Sequence, residues 1–334
     1  MGRTVRILLT GASGGFGQFL LQRLLEGDGL GDGRPLECLT IMTRRTRGLP
    51  SDPRVRVVAG DLRDPAARAQ ALQGGVDVVF PFAATLAEQA EREFDLGREI
   101  NIDASLALLN DLRNANKPPR VVYPSSIGVY GAALDTAVND DTTPRPSISY
   151  GAAKYINEIY VTELSRRGDI DGVSLRLPAC LPRPRMPDLT PSPDFASSVF
   201  HALKAGEPFM FPVTAHAAMW FLSVPGCMDA VIHAARLPSS AYRSRRAFML
   251  PALALSTGQL VDGLVGALGT KARELVSWNP QPNVEETFAR FPALSTPFAD
   301  TLGFKHDGNV EALIRRTLEA INEAERWMRP TSPS

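Results

Sequence analysis

Apolar residues along this chain alternate between short unbroken runs and longer stretches with helical spacing. Val5 to Thr10 is a compact apolar run of the kind buried strands make. It enters a turn rich in glycine, after which Phe19, Leu20, Leu21, Leu24 and Leu25 recur at helical spacing. The same alternation predicts strands over Leu36–Thr43, Val55–Ala59, Asp77–Phe80 and Arg120–Tyr123. One long helix is expected over about 86–116, and another begins near Tyr150, where Ile156, Ile159, Val161 and Leu164 continue the period. Strands alternating with helices predict an α/β fold with a parallel sheet and right-handed crossovers.

Beyond Pro178 the pattern changes. Pro182, Pro184, Pro187 and Pro191 exclude a long helix over 178–193, and Arg183 and Arg185 stand in that loop as candidates for phosphate or substrate. Helices are expected at about 194–204, 225–236, 256–267 and 309–328, with strands near 208–212, 218–223 and 246–250. Residues 330–334 read as a frayed tail. The expected division is 1–177 for a nucleotide-binding core and 178–334 for a smaller C-terminal α/β region that holds substrate, with some of its elements returning to the first sheet.

Composition narrows this only a little. The 334 residues carry 36 basic and 36 acidic side chains, which removes any global charge argument for nucleic acid or an acidic membrane surface. No apolar run is long enough for a membrane span, and the N-terminus lacks a signal-peptide pattern. Cys38, Cys180 and Cys227 are odd in number and far apart, as free thiols in a cytoplasmic protein are. The four histidines make no metal-ligand spacing with them, so no metal is expected.

Chemistry enters at the strand ends. Gly11-Ala-Ser-Gly-Gly-Phe-Gly17 lies between a strand and a helix, the context that a GxxGxxG match needs. Gly11 permits the turn, Gly14 lets the backbone approach a pyrophosphate, and Gly17 lets helix and strand pack closely. The helix N-terminus then offers free amides to the anion. The second strand ends Thr43-Arg44-Arg45 where an NAD-binding sheet carries an acid. Arginines attract a 2′-phosphate, so NADP(H) is favoured over NAD(H). Asp61, in Gly60-Asp61-Leu62, is a candidate acceptor for an adenine amino group or a cap for the helix beginning at Asp64-Pro65. Small residues at Ala83-Ala84 leave room for a flat adenosine. Ser125-Ser126 follows the fifth strand, at the sheet edge where such folds bind ligands. Tyr150 and Lys154, four apart, share a helix face. An ammonium beside a phenol favours the phenolate, which makes the pair a usable acid/base unit.

Together, Thr10 to Gly17, Asp61-Leu62, Ala83-Ala84, Asn101, Ser125 to Gly131, Tyr150-xxx-Lys154 and Leu175 to Pro178 resemble the extended short-chain dehydrogenase/reductase family. The resemblance implies a Rossmann doubly wound parallel sheet and hydride transfer. It makes Ser126 the catalytic hydroxyl, Tyr150 the acid/base, Lys154 its partner and a ribose ligand, and Asn101 a support. Cofactor contacts are implied for Gly11, Ser13, Gly14, Gly15, Phe16, Gly17, Thr43, Arg44, Arg45, Asp61, Leu62, Ala83, Ala84, Tyr150, Lys154, Leu177 and Pro178. Substrate contacts are expected from Thr85, Ser125, Ser126, Arg183 and Trp220, with Phe209, Phe211, Met219 and Phe221 as either an apolar wall or simple core. Asp140, Asp141 and Arg145 lie in a loop that either touches substrate or faces solvent.

The stretches Ser125–Ala132, Ser149–Lys154, Ser165–Gly168 and Asp171–Pro178 are similar to the D-erythronate dehydrogenase branch, which oxidises small sugar acids. The chain departs from that branch at Thr43, at Pro81, and at Phe221 and Pro225, where the branch has histidine and arginine. These departures point away from NAD and from a carboxylated substrate. The reaction expected is reversible reduction of a ketone to a secondary alcohol. The alternatives are an epimerase or dehydratase that retains its cofactor, and a non-catalytic NADP sensor, which would have no use for Ser126, Tyr150 and Lys154. Relatives pair as homodimers through the helices near 95–115 and 150–167, with Leu106, Leu109, Ile156 and Tyr160 as possible contacts or internal core.

Overall fold

A computed structural model describes residues 4–132, 134, 137–183, 194–243 and 245–328. The chain divides into two compact units. The first comprises Met1–Val129, Pro144–Arg176 and Met228–Phe248, and the second Tyr130–Thr143, Leu177–Cys227 and Met249–Ser334.

In chain order the elements are β1 (Val5–Thr10), α1 (Gly15–Glu26), β2 (Leu36–Thr43), β3 (Val55–Ala59), α2 (Pro65–Leu72), β4 (Val78–Pro81), α3 (Ala87–Arg92), α4 (Phe94–Arg98) and α5 (Ser105–Leu112). Then come β5 (Arg120–Ser126), α6 (Ser149–Arg167), β6 (Asp171–Leu177), β7 (Ala179–Leu181), α7 (Phe195–Ala205), β8 (Phe209–Phe211), β9 (Ala218–Ser223), α8 (Val224–Arg236), β10 (Ala247–Met249) and β11 (Leu253–Ser256). The chain continues through α9 (Thr257–Leu268), β12 (Val276–Trp278), α10 (Pro282–Phe288), α11 (Pro297–Thr301) and α12 (Val310–Met328).

A seven-stranded sheet has the order β10-β6-β5-β4-β1-β2-β3. The pairs β1–β2, β2–β3, β1–β4 and β4–β5 run parallel. The chain runs from β1 through β2 to β3 on one side and then crosses to β4 on the other side of β1, so the order reverses beside β1, where a doubly wound sheet binds its ligand. The strands are apolar on both faces because helices cover both, which is why they read as runs rather than alternations. Leu8, Val79, Val121 and Tyr123 from the strands pack with Leu108, Leu112, Val161 and Leu164 from the helices.

The long helix expected over 86–116 is broken. Glu93 leaves helical geometry at φ −119, separating α3 from α4. A wider π-helical stretch, Glu99–Ala104, then leads into α5. Gly97 packs against Ala90, where an added Cβ would meet Ala90 Cα at 3.0 Å. Apolar periodicity continues through a break of this kind because the same residues face the core on both sides of it.

The second unit has its own core, in which Val199, Phe200, Phe211, Phe221, Leu260, Leu264, Leu313 and Ile314 are buried. Its strands form a small sheet of order β11-β9-β7 and the pair β12-β8. Residues 228–248, carrying most of α8 and β10, belong to the first unit, so the chain returns after contributing β7 and β9 to the second. No helix among the described residues is long and apolar enough to cross a membrane.

Candidate active site

The glycine turn follows β1 directly. Thr10 Oγ1 accepts the Ala83 N–H at 3.1 Å, tying the end of β1 to the end of β4. α1 starts at Gly15 with Gly14 as its N-cap and no side-chain cap, so its first amides are offered to an anion instead. A Cβ on Gly17 would fall 2.2 Å from the Gly11 carbonyl oxygen, so only glycine lets α1 start this close to the turn. Gly11, Ser13, Gly14, Gly15, Phe16 and Gly17 are thus one strand-turn-helix surface that fits a dinucleotide pyrophosphate.

Thr43, buried at the end of β2, directs its hydroxyl to Ser13 Oγ at 2.9 Å and accepts the Arg45 N–H at 3.3 Å. The β2 end and the glycine turn are therefore joined by a neutral polar contact. Arg44 is largely exposed, with Nη1 3.8 Å from Asp61 Oδ2. Asp61 accepts from Arg63 at Nε, Nη2 and the backbone N–H at 3.1, 3.0 and 2.9 Å. Hydrogen bonding to Arg63 holds this carboxyl below the usual range, against a desolvation penalty from burial. The helix cap considered for Asp61 is supplied by Asp64, which accepts the Ala66 N–H at 2.9 Å. Leu62 is buried.

The acid/base candidates meet where β5 ends and α6 begins. A Cβ on Gly151 would lie 2.2 Å from the Gly128 carbonyl oxygen, and one on Gly128 would lie 3.4 Å from Ser126 Oγ and 3.8 Å from Tyr150 Cδ1. Two glycines in close approach therefore bring the Ser126 turn onto the first turn of α6. Ser126 Oγ accepts the Gly128 N–H at 3.1 Å. Lys154 is only 4% exposed, and its Nζ donates to the Pro124 carbonyl at 2.6 Å. The ammonium lies 4.9 Å from the Tyr123 ring centroid and 5.5 Å from that of Tyr150. Burial pushes Lys154 down to about 7, opposed by the negative charge of Glu158. Burial likewise raises Tyr123 well above the ordinary phenol value.

Asn101 lies in the π-helical stretch. Its side chain clamps the Thr85 backbone, accepting the N–H at 2.7 Å and donating to the carbonyl at 2.9 Å. Its own carbonyl accepts from Asn157 Nδ2 at 2.7 Å.

Ser125 turns its hydroxyl into the core, donating to Glu158 at 2.5 Å. Trp220 is fully buried in the second unit, donates Nε1–H to the Pro292 carbonyl at 2.7 Å, and packs against Tyr130 and Phe291. Phe211, Met219 and Phe221 join the same unit's core. Trp220 and these three residues are packed within their own unit. Arg183 donates its N–H to Ser197 Oγ at 3.0 Å, with its guanidinium 3.9 Å from Asp194. Leu177 ends β6, and the Pro178 carbonyl accepts from Cys180 Sγ at 3.4 Å. Asp140 accepts the Phe298 N–H at 2.8 Å. Arg185 and the prolines 184, 187 and 191 lie outside the described residues, as does the 330–334 tail.

Sequence reasoning missed Glu158, Arg176 and Asn157, all buried beneath the Tyr150–Lys154 face. A signal existed for two of them. Glu158 is four residues past Lys154 on one helix, and Arg176 stands inside an apolar strand, where an arginine is rarely buried without a partner. Among the described residues, no group of three or more His, Cys, Asp or Glu side chains could hold a metal ion.

The NAD dependent epimerase/dehydratase family matches residues 7–246. The D-erythronate dehydrogenase of Cupriavidus necator is 36% identical over 320 residues, covering 94% of this chain and 98% of the relative. That of Haemophilus influenzae is 28% identical, covering 94% and 99%. Among solved structures, a nucleoside-diphosphate-sugar epimerase from Agrobacterium tumefaciens superposes with a TM-score of 0.87 at 30% identity, covering 95% of this chain and 94% of that one. With its glycine turn, its strand order and these matches, the chain belongs to the NAD dependent epimerase/dehydratase family, the extended short-chain dehydrogenases/reductases, and within it resembles the D-erythronate dehydrogenases.

Proposed function

We propose that this chain is a nicotinamide-dependent oxidoreductase that interconverts a small secondary alcohol and its ketone, in the hydroxy-acid or sugar-acid class. The observation that carries the reading is the buried Lys154 ammonium, 5.5 Å from the Tyr150 ring on the helix turn packed against Ser126. When bound, the nicotinamide supplies or accepts the hydride. Tyr150 gives a proton to the carbonyl oxygen during reduction and takes it back during oxidation. Ser126 hydrogen-bonds the same oxygen and orients it. Lys154, fixed on the Pro124 carbonyl, favours the phenolate of Tyr150. Asn101 holds the backbone beyond β4 through Thr85. The names of the Cupriavidus and Haemophilus relatives support a sugar acid as the first substrate to test.

NADP(H) is the cofactor we favour, with NAD(H) the alternative. The end of β2 presents Thr43 in place of an acid, and Arg44 extends from it largely exposed. Homodimerisation is also proposed; Ile156 and Ile159 are exposed on α6, which supports it, whereas Leu109 is core and the Tyr160 hydroxyl donates to Asn110.

The test is fluorescence titration with NADPH and NADH, followed by D-erythronate oxidation with each coenzyme. NADPH is expected to bind at least about tenfold more tightly, the effect of one charge-assisted contact. Equal or tighter NADH binding would overturn the cofactor preference. Tyr150→Phe is expected to abolish turnover while leaving cofactor binding intact, and normal turnover in that variant would sink the acid/base assignment. The 30% identity to an epimerase supports a second reading, with cofactor retained through the cycle. Copurified nicotinamide whose absorbance shows no net change during turnover would favour it.

A further inference from the structure

Glu158 lies one helical turn beyond Lys154 and is 2% exposed. Its carboxylate accepts the Ser125 hydroxyl of β5 at 2.5 Å. It also accepts from Arg176 of β6, through Nε at 3.0 and 3.2 Å and Nη2 at 2.8 Å. Arg176 is itself 7% exposed, so a complete ion pair is buried here. Apolar side chains of similar volume commonly hold such a place with no loss of stability. What the carboxylate adds is a grip on three elements at once. Ser125 stands between Pro124, whose carbonyl holds Lys154, and Ser126. Glu158 and Lys154 share α6 with Tyr150.

We propose that Glu158 is a positioning residue: braced by Arg176, it fixes the β5 end against α6 so that Lys154 and Ser126 hold register with Tyr150. The inference rests on the acid/base reading of Tyr150 and Lys154. The groups around Lys154 are the Tyr123 ring and Pro124 carbonyl from β5, Tyr150 and Glu158 from α6, and Arg176 from β6 behind the carboxylate. Asn101 lies in the neighbouring π-helical stretch, and Glu91 of α3 accepts the Ser149 N–H at the start of α6. Of the anions, Glu158 is the one that opposes the effect of burial on Lys154. Without it burial acts unopposed, and Lys154 loses its proton at lower pH.

The chain has five lysines, so isotope labelling of lysine gives a simple NMR spectrum in which Lys154→Met assigns the Lys154 signal. In Glu158→Gln the Lys154 midpoint is expected to fall below its wild-type value. The kcat for D-erythronate oxidation is expected to fall by about a hundredfold with little change in KM, as a small misplacement of reacting groups produces. Because Glu158→Gln leaves Arg176 without its charge partner, the double variant Glu158→Leu/Arg176→Met is the companion measurement. It is expected to melt near wild type while the Lys154 midpoint and kcat stay low. An unmoved midpoint in Glu158→Gln, or recovery of midpoint and kcat in the double variant, overturns the proposal and leaves the cluster merely structural. The NMR measurement needs no substrate. Turnover by Tyr150→Phe would instead overturn the underlying acid/base reading, whatever the lysine signal does.

Discussion

Lys154 shows how one residue sets opposing demands. Its ammonium is useful beside a phenol only where water is scarce, and scarcity of water is what disfavours an ammonium. Burial lowers its pKa from 10.5 to about 7, so between those values the unfolded chain binds the proton and the folded chain does not. Stability therefore rises with pH across that window and falls as pH drops toward 7. Lys154→Met, which removes the group, is expected to raise the melting temperature, most at and below neutral pH and progressively less toward pH 10. A gain independent of pH, measured by thermal melts across the range, would contradict this. At this scale the sequence was legible where chemistry depends on near neighbours. Tyr150 and Lys154 are read from a spacing of four, and Thr43-Arg44-Arg45 from its place at a strand end. Trp220 was not legible, because an aromatic at strand spacing looks the same against a ligand or in a core. Ser125 and Ser126 are adjacent in sequence, yet one hydroxyl enters the core at Glu158 and the other accepts the Gly128 N–H, as successive strand residues point to opposite faces.

At the scale of elements, the glycine turn and α6 matter most. Gly17→Ala would force a Cβ to 2.2 Å from the Gly11 oxygen. Backbone atoms cannot yield cheaply there, so α1 must shift away from the turn. A loss of about 1–3 kcal/mol of stability is expected, with NADPH binding lost as the amides move out of line. Denaturant titration and fluorescence titration measure the two effects, and a variant with wild-type values in both would refute the close-packing role. The break between α3 and α4 was not legible, because Glu93 leaves helical geometry with no glycine or proline at that position to mark it. The strands β6, β7, β11 and β12 also escaped the pattern; β6 spans seven residues, and the other three are only three or four residues long. Such lengths give too few alternations to separate a strand from a loop.

At the scale of the whole molecule, two cores are built from segments interleaved along the chain. Dinucleotide binding to the native form alone must raise stability by mass action, by about 2.7 kcal/mol at a hundred times Kd. NADPH is therefore expected to raise the melting temperature by several degrees, and NADH at equal concentration by less. Equal shifts would argue against the 2′-phosphate preference. The alternating order of strands and helices was enough to expect a doubly wound sheet, since right-handed crossovers leave few arrangements. Which C-terminal elements join the first sheet was not legible, because α8 and β10 have no local feature saying which sheet they join.

The sequence by itself determined the glycine turn, the β2 ending and the Tyr150–Lys154 face, because each depends on backbone geometry within a few residues. Only the tertiary structure decided that Ser125, Glu158 and Arg176 form one buried cluster beneath that face, or that Asn157 reaches the Asn101 carbonyl. Those contacts join residues 18 to 56 positions apart. They exist because strand order and helix packing bring distant segments together, and short-range spacing contains no record of that order.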